Sequence, residues 1–141
     1  MSLDDGKLAG RATNTNYDVQ ELEAFDIVLT TYNMVRIQHG RMVTTTGQFK
    51  TWLQKKLPYD HPQRDRFPLF AIKWWILVLD EAHKIANPLT SISVAARALP
   101  GDYRVAMTGT PLQNDYTDIQ GLLAFLRLSP WANLKRFKEV R

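Results

Sequence analysis

Cysteine is absent from the 141 residues, which excludes disulfides, thiolate zinc sites and cysteine nucleophiles. That absence is consistent with a reducing compartment. No apolar run approaches the roughly 20 residues that a membrane-spanning helix needs, so no membrane partner is expected. The first ten residues, MSLDDGKLAG, lack the apolar core of a secretory signal. The three histidines, His39, His61 and His83, stand at no metal-ligand spacing, and no His-Glu-x-x-His helix is present. Internal repeats and low-complexity tracts are absent too. Acidic side chains are scarce in one place: residues 36–73 hold eight Lys and Arg against two Asp.

What is present suits one globular domain of ordinary size, with 45% hydrophobic and 23% charged residues. The net charge of +4 is unevenly spread. Residues 1–35 hold six acidic and two basic side chains, whereas the basic excess lies in 36–73 and in the tail after 134. The basic segment carries Lys55 and Lys56 among Phe49, Trp52, Tyr59 and Phe67. Such a mixture can neutralise phosphates. It also suits a solvated insertion whose lysine stems cover apolar surface, and composition alone favours that blander reading.

Residues 1–19 read as a loose polar lead-in and 138–141 as a tail, with one lobe spanning 20–137 and an insertion at about 39–70 broken up by Gly40, Gly47, Pro58, Pro62 and Pro68. Within the lobe, Phe25–Leu29 reads as a strand ending in Thr30-Thr31, with a short helix over 32–38. In the insertion, GQFKTWLQKKL has the spacing of an amphipathic helix. Trp74–Leu79 is continuously apolar, as in a parallel strand buried on both faces. Asn87-Pro88 is expected to cap a helix whose inner stripe is Ile92, Ala95, Ala96 and Leu99. Tyr103–Met107 is another short strand, and Asp115 is expected to cap a last helix facing inward with Ile119, Leu122, Leu123 and Leu126. Alternating strands and helices argue for an α/β layer fold with a parallel sheet. Ligands of such sheets bind at the carboxyl ends of the strands. Thr30-Thr31, Asp80-Glu81-Ala82-His83 and Thr108-Gly109-Thr110 each follow a strand's last apolar residue, so all three are expected along one sheet edge.

Adjacent carboxylates at a buried strand's end suit triphosphate hydrolysis. Asp80 can hold a magnesium ion that bridges phosphates, and Glu81 can orient and deprotonate the attacking water. A surface Asp-Glu pair favoured by a helix dipole explains the tetrapeptide equally well on its own. A glycosidase is set aside, because its two carboxylates must flank a sugar.

Asp80-Glu81-Ala82-His83 resembles motif II of superfamily-two helicases, and MTGTPLQN, Met107–Asn114, resembles motif III of the SWI/SNF-type helicase-like ATPases. DIVLTTY, Asp26–Tyr32, is similar to the stretch of that family that meets the DNA backbone, and GLLAFLRLSPW is similar to the segment after motif III. The wording FLRLSP, with PLF and KWW before motif II, resembles the branch that contains the helicase-like transcription factor and the post-replication-repair ubiquitin ligases. The resemblance covers roughly residues 17–137. It implies the second half of the first RecA-like lobe, a partial P-loop NTPase sheet with flanking helices. It implies that Asp80 contributes to magnesium binding and that Glu81 activates water. His83, Thr108, Gly109, Thr110 and Gln113 would attend the nucleotide and couple its state to DNA, and Thr30 and Thr31 would contact a DNA phosphate. Thr30-Thr31 read as a strand-end cap, and Thr108–Pro111 as a tight turn, are the plain alternatives. Ala86 stands where the family usually has lysine, and Met107 where it usually has leucine.

The motif G-x-x-x-x-G-K-[ST], which cradles phosphates, does not occur in these residues; the one Gly-Lys pair, Gly6-Lys7, is followed by Leu8. The family's second lobe has no counterpart either. The resemblance therefore implies ATP and magnesium for a longer parent protein, with neither bound by these residues alone and no significant ATPase activity in isolation. Expected partners are double-stranded DNA, nucleosomes, and the parent's own phosphate-loop segment and second lobe. Self-association through an open sheet edge is expected. The location implied is the nucleus. Two other classes compete: a non-catalytic DNA- or protein-binding module from a truncated paralogue, and a structural α/β domain with a coincidental Asp-Glu-Ala-His.

Overall fold

The computed structural model describes residues 8–9, 18–46, 66–110, 118–133 and 136–137. They fall into two compact units, Met1–Ile72 and Lys73–Arg141, and each is described by itself.

In the first unit, β1 (Leu8–Ala9) pairs in parallel with β2 (Ile27–Val28), Leu8 opposite Ile27 and Ala9 opposite Val28. Between them lies α1 (Val19–Glu23). Asp18 caps it reciprocally: its Oδ1 accepts the Glu21 N–H at 2.8 Å, and Glu21 Oε2 accepts the Asp18 N–H at 3.0 Å. After β2, Thr31 begins α2 (Tyr32–Thr46) by accepting the Met34 N–H on its Oγ1 at 3.2 Å. This helix runs well past the expected 32–38 and through Gly40. A further short helix, α3 (Pro68–Ala71), has proline in its first turn, where the missing N–H costs nothing. Both ends of the expected insertion are thus regular structure. α3 packs on α1 and α2, and Gln38 Oε1 accepts the Leu69 N–H at 3.3 Å. Val19, Leu22, Val35, Met42, Phe67, Leu69, Phe70 and Ile72 are buried there. The expected helix over Gly47–Leu57, with Lys55 and Lys56, lies outside the described residues.

In the second unit, β3 (Trp74–Leu79) pairs in parallel with β4 (Gly101–Ala106). Ile76 faces Tyr103 and Val78 faces Val105 across the ladder. A single-turn 3-10 helix (Ala82–Ile85) follows β3, then α4 (Ser91–Ala98) crosses to β4, and α5 (Asp118–Leu126) follows. α5 packs on β4, on α4 and on the 3-10 turn, burying Ala82, Ile85, Ala95, Ala96, Leu122 and Phe125.

Three local expectations are corrected. The cap of α4 is Thr90, whose Oγ1 accepts the Ser93 N–H at 3.3 Å. Asn87 instead closes a turn, its Oδ1 accepting the Leu89 N–H at 2.9 Å, because the 3-10 turn and this loop take up the chain first. The inner face of α5 centres on Gly121, Leu122 and Phe125, while Ile119, Leu123 and Leu126 are half-buried and Asp115 lies outside the described residues. This face is set by Gly121 lying against the 3-10 turn and by the Phe125 ring under the Arg104 guanidinium, 4.9 Å from the ring centre. Among the described residues of its own unit, the sheet is also covered on one face only. Ile76, Val78, Tyr103 and Val105 share the other face and are 42%, 51%, 59% and 38% exposed.

Arg104 anchors the covered face. Its guanidinium donates to the Phe125 carbonyl at 3.3 Å and, through a short bond, to the Leu99 carbonyl. These are the carbonyls at the ends of α5 and α4, which have no partner within their helices. Burial, with the nearby Arg127 charge adding to it, lowers the Arg104 pKa to about 10.

Candidate functional site

β3 and β4 end side by side, and their ladder continues past both ends. Met107 N donates to the Leu79 carbonyl at 2.8 Å, and Ala82 N donates to the Met107 carbonyl at 2.9 Å. These two bonds bring Asp80-Glu81-Ala82-His83 beside Thr108-Gly109-Thr110 at the carboxyl edge of the sheet, as expected for that pair of clusters. Thr30-Thr31 follow β2, whose sheet is a separate one in the first unit. The expectation of a single sheet edge for all three clusters therefore gives way to a two-cluster edge. A two-residue strand paired with β1 leaves Thr30-Thr31 in their own sheet.

The backbone at this edge turns sharply. Asp80 and Glu81 are exposed, and Asp80 Oδ1 accepts the Glu81 N–H at 2.9 Å. Glu81 adopts a left-handed conformation, with φ 49° and ψ 48°. A non-glycine residue there costs about 1–2 kcal/mol, and such residues cluster at functional sites. The turn lets the chain leave β3 and enter the 3-10 helix within one residue. It also carries the Glu81 side chain back over the turn, so that Oε2 lies 3.1 Å from His83 Nδ1. That is ion-pair distance without hydrogen-bond alignment, and Nδ1 is buried with no hydrogen-bond partner. Ala82, fully buried, is the seam between the clusters.

Opposite, Thr108 Oγ1 accepts the Thr110 N–H at 3.3 Å. Gly109 is exposed, with open space where a Cβ would stand. This edge therefore offers backbone and hydroxyl groups next to two carboxylates. Gln113 lies outside the described residues, so its place relative to this edge is not described.

Among the described residues no group of three or more His, Asp or Glu side chains could cage a metal ion. An exposed aspartate at a strand end instead fits magnesium, which keeps most of its water and takes one or two protein carboxylates together with phosphate oxygens.

Two contributors were not singled out from sequence. Gly121, in α5, donates its N–H to the Ala86 carbonyl at 3.1 Å, and a Cβ there would stand 1.9 Å from the Ile85 carbonyl oxygen. It fixes the far end of the turn that carries Glu81 and His83. A glycine inside an apolar helical pattern is the signal that marks such close backbone approach. Arg104 is the other, and an arginine between β-branched and apolar strand residues carries no distinctive pattern.

Residues 5–141 match the family described as SNF2-related domain. The DNA repair protein RAD5A of Arabidopsis thaliana is 37% identical over 114 residues, which is 81% of this chain and 9% of that protein. The helicase-like transcription factor of Mus musculus is 36% identical over 106 residues, 75% of this chain and 8% of that protein. Among solved structures, the Sulfolobus solfataricus SWI2/SNF2 ATPase core in complex with dsDNA superposes with a TM-score of 0.51 at 30% identity, covering 82% of this chain and 19% of that one. The chain thus spans about a tenth of the length of these curated relatives.

Proposed function

The chain belongs to the SNF2-related domain family, and we propose that it forms the carboxylate-bearing half of the ATP-hydrolysing lobe of a helicase-like, double-stranded-DNA-dependent ATPase. The observation that carries this reading is the extended ladder from Leu79 through Met107 to Ala82, which holds the Asp80-Glu81 pair against Thr108-Gly109-Thr110 at a sheet's carboxyl edge. Asp80 is the residue that would hold magnesium, which when bound supplies positive charge to the phosphates. Glu81 is the residue that would take a proton from water. Its left-handed backbone fixes where that carboxylate starts, and its contact with His83 ties the side chain to the turn. His83, Thr108, Gly109 and Thr110 link this edge to the rest of the lobe. Gln113 belongs to the same proposed set by its place in the motif.

Hydrolysis of a triphosphate depends on preorganised phosphate donors. These 141 residues contain no G-x-x-x-x-G-K-[ST] loop. The 141-residue chain by itself therefore binds ATP and magnesium poorly and does not turn ATP over. DNA contacts fall to Thr30, Thr31, Lys55 and Lys56, and the role is DNA repair or transcription in the nucleus. The support is the names of the relatives and the duplex bound to the structural neighbour.

The test has two arms. In the full-length gene product, DNA-stimulated ATP hydrolysis should be abolished by Glu81→Gln while nucleotide binding persists. Turnover that survives Glu81→Gln would overturn the assignment. In the 141-residue chain, no turnover above background is expected with or without duplex DNA. A non-catalytic module would show DNA binding with no ATPase in either protein.

A further inference from the structure

We infer that Arg36, on the exposed face of α2, is a further DNA-backbone contact that extends the track begun by Thr30 and Thr31. The inference rests on the duplex-binding reading above. α2 contains no Asp or Glu anywhere from Tyr32 to Thr46, so its surface has no carboxylate of its own to offset a cation. Asn33, Arg36 and Gly40 recur at helical spacing and are all exposed, whereas Val35, His39 and Met42 form the buried side.

The Arg36 guanidinium is held but not neutralised. Its Nη2 donates to Asn33 Oδ1 at 2.7 Å, and the described residues give it no ion pair. An amide oxygen fixes the direction of the planar fork without cancelling its charge. The remaining N–H donors suit two oxygens of one phosphate. Thr31 stands five residues earlier, at the start of α2, about 7.5 Å along the helix axis and about 140° around it from Arg36, so a phosphate backbone meeting both would cross the N-terminal end of the helix. Its Oγ1 is already the acceptor for Met34 N–H. The hydroxyl proton remains a donor, which is what a phosphate oxygen needs. Gly40 adds no side chain between this surface and an approaching backbone, since nothing lies within 4 Å of where its Cβ would be. Asn33, Arg36 and Gly40 thus make one exposed face without a carboxylate, with the Thr31 hydroxyl at the N-terminal end of the same helix, and that arrangement suits a polyanion.

The experiment is fluorescence anisotropy of a labelled duplex with the 141-residue chain, titrated from about 50 to 200 mM salt. Each phosphate contact contributes a slope of about −0.9 in log affinity against log salt, equivalent to about eightfold at 0.1 M salt. Arg36→Gln should flatten the slope by about that amount and weaken binding about eightfold. Arg36→Lys keeps the charge and should keep the slope, and the far-ultraviolet circular dichroism of Arg36→Gln should match that of the parent. Arg127→Gln changes the net charge equally, in the other unit, and should leave the slope unchanged. If Arg36→Gln behaves like Arg127→Gln while the parent chain binds with a steep slope, the Arg36 contact is refuted and the duplex reading stands. If the parent chain shows no salt-dependent binding, the duplex reading falls and Arg36 falls with it.

Discussion

Replacing Gly121 by alanine should destabilise the second unit, against the usual trend for helices. Glycine inside a helix costs up to about 1 kcal/mol relative to alanine, so Gly→Ala normally stabilises. Here the new Cβ would stand 1.9 Å from the Ile85 carbonyl oxygen, 2.4 Å from that of Ala86 and 2.7 Å from the Ala86 carbonyl carbon. All three are backbone atoms, so no side chain can rotate away. Restoring contact distance requires the helix or the turn to move by about 1 Å or more. Overpacking of this kind costs about 1–3 kcal/mol. The same movement stretches the 3.1 Å bond from Gly121 N to the Ala86 carbonyl, a loss of about 1 kcal/mol. Set against the propensity gain, the net effect is a loss of about 2 kcal/mol. Urea unfolding should show the midpoint falling by about 1 M at an unchanged slope. The amide resonances of Glu81–Ile85 should shift as well. Gly40→Ala is the internal control: it is also inside a helix, has open space at its Cβ, and should gain about 0.5–1 kcal/mol. A Gly121→Ala protein as stable as the parent, with Gly40→Ala no different, would refute the close-approach argument.

At Glu81 the left-handed backbone should make Glu81→Gly stabilising by up to about 1 kcal/mol and Glu81→Val destabilising by more than that, read by thermal melts; the opposite order would show that the turn is not left-handed. Arg104→Met keeps the stem but removes the donors to the Leu99 and Phe125 carbonyls, and should cost about 1.5–3 kcal/mol in urea; a change below about 0.5 kcal/mol would dismiss the anchor. Burial lowers the pKa of His39 below its ordinary 6.5. Between those two values the unfolded chain binds a proton that the folded one does not, so stability is fully present above about pH 6.5 and declines as pH falls below it. Urea midpoints at pH 7.5 and 5.5 should differ less in His39→Phe than in the parent, and an equal difference would count against it.

The chemistry-bearing strand ends were the most legible part. An uninterrupted run, WWILVL, that stops at Asp80-Glu81 is hard to read as anything but a strand delivering charge to an edge, and β3 ends at Leu79. Met107-Thr108-Gly109 was legible for the same reason, because a short β-branched and aromatic run gave way to turn residues. What pattern could not give is how the two edges join. The seam is made of backbone groups of Leu79, Ala82 and Met107, and backbone hydrogen bonds leave almost no mark on residue identity. Glu81 at positive φ is the plainest case: nothing in a glutamate advertises a conformation that glycine would adopt more readily. The cap of α4 was misread because Asn87-Pro88 is as good a signal as Thr90, and the choice depends on how much chain the preceding 3-10 turn consumes.

The same physics explains why β3 was read correctly as a strand and incorrectly as covered on both sides. Period-two alternation is what tells a half-exposed strand from a fully buried one, and β3 has none. Its residues Ile76 and Val78 have the apolar character of a covered face but are exposed within a two-stranded sheet, as are Tyr103 and Val105 beside them. A parallel pair with one bare apolar face is rare, because parallel sheets are found with both faces covered. An apolar face of this size is a surface through which the isolated chain would associate. This yields a separable expectation about β3 itself. Substituting Ile76 and Val78 by threonine keeps β-branching while exchanging apolar for polar surface, so the isolated chain should stay folded and self-associate less, by sedimentation velocity, than the parent. Loss of folding in the double variant would show instead that the bare face is packed in solution within the chain itself.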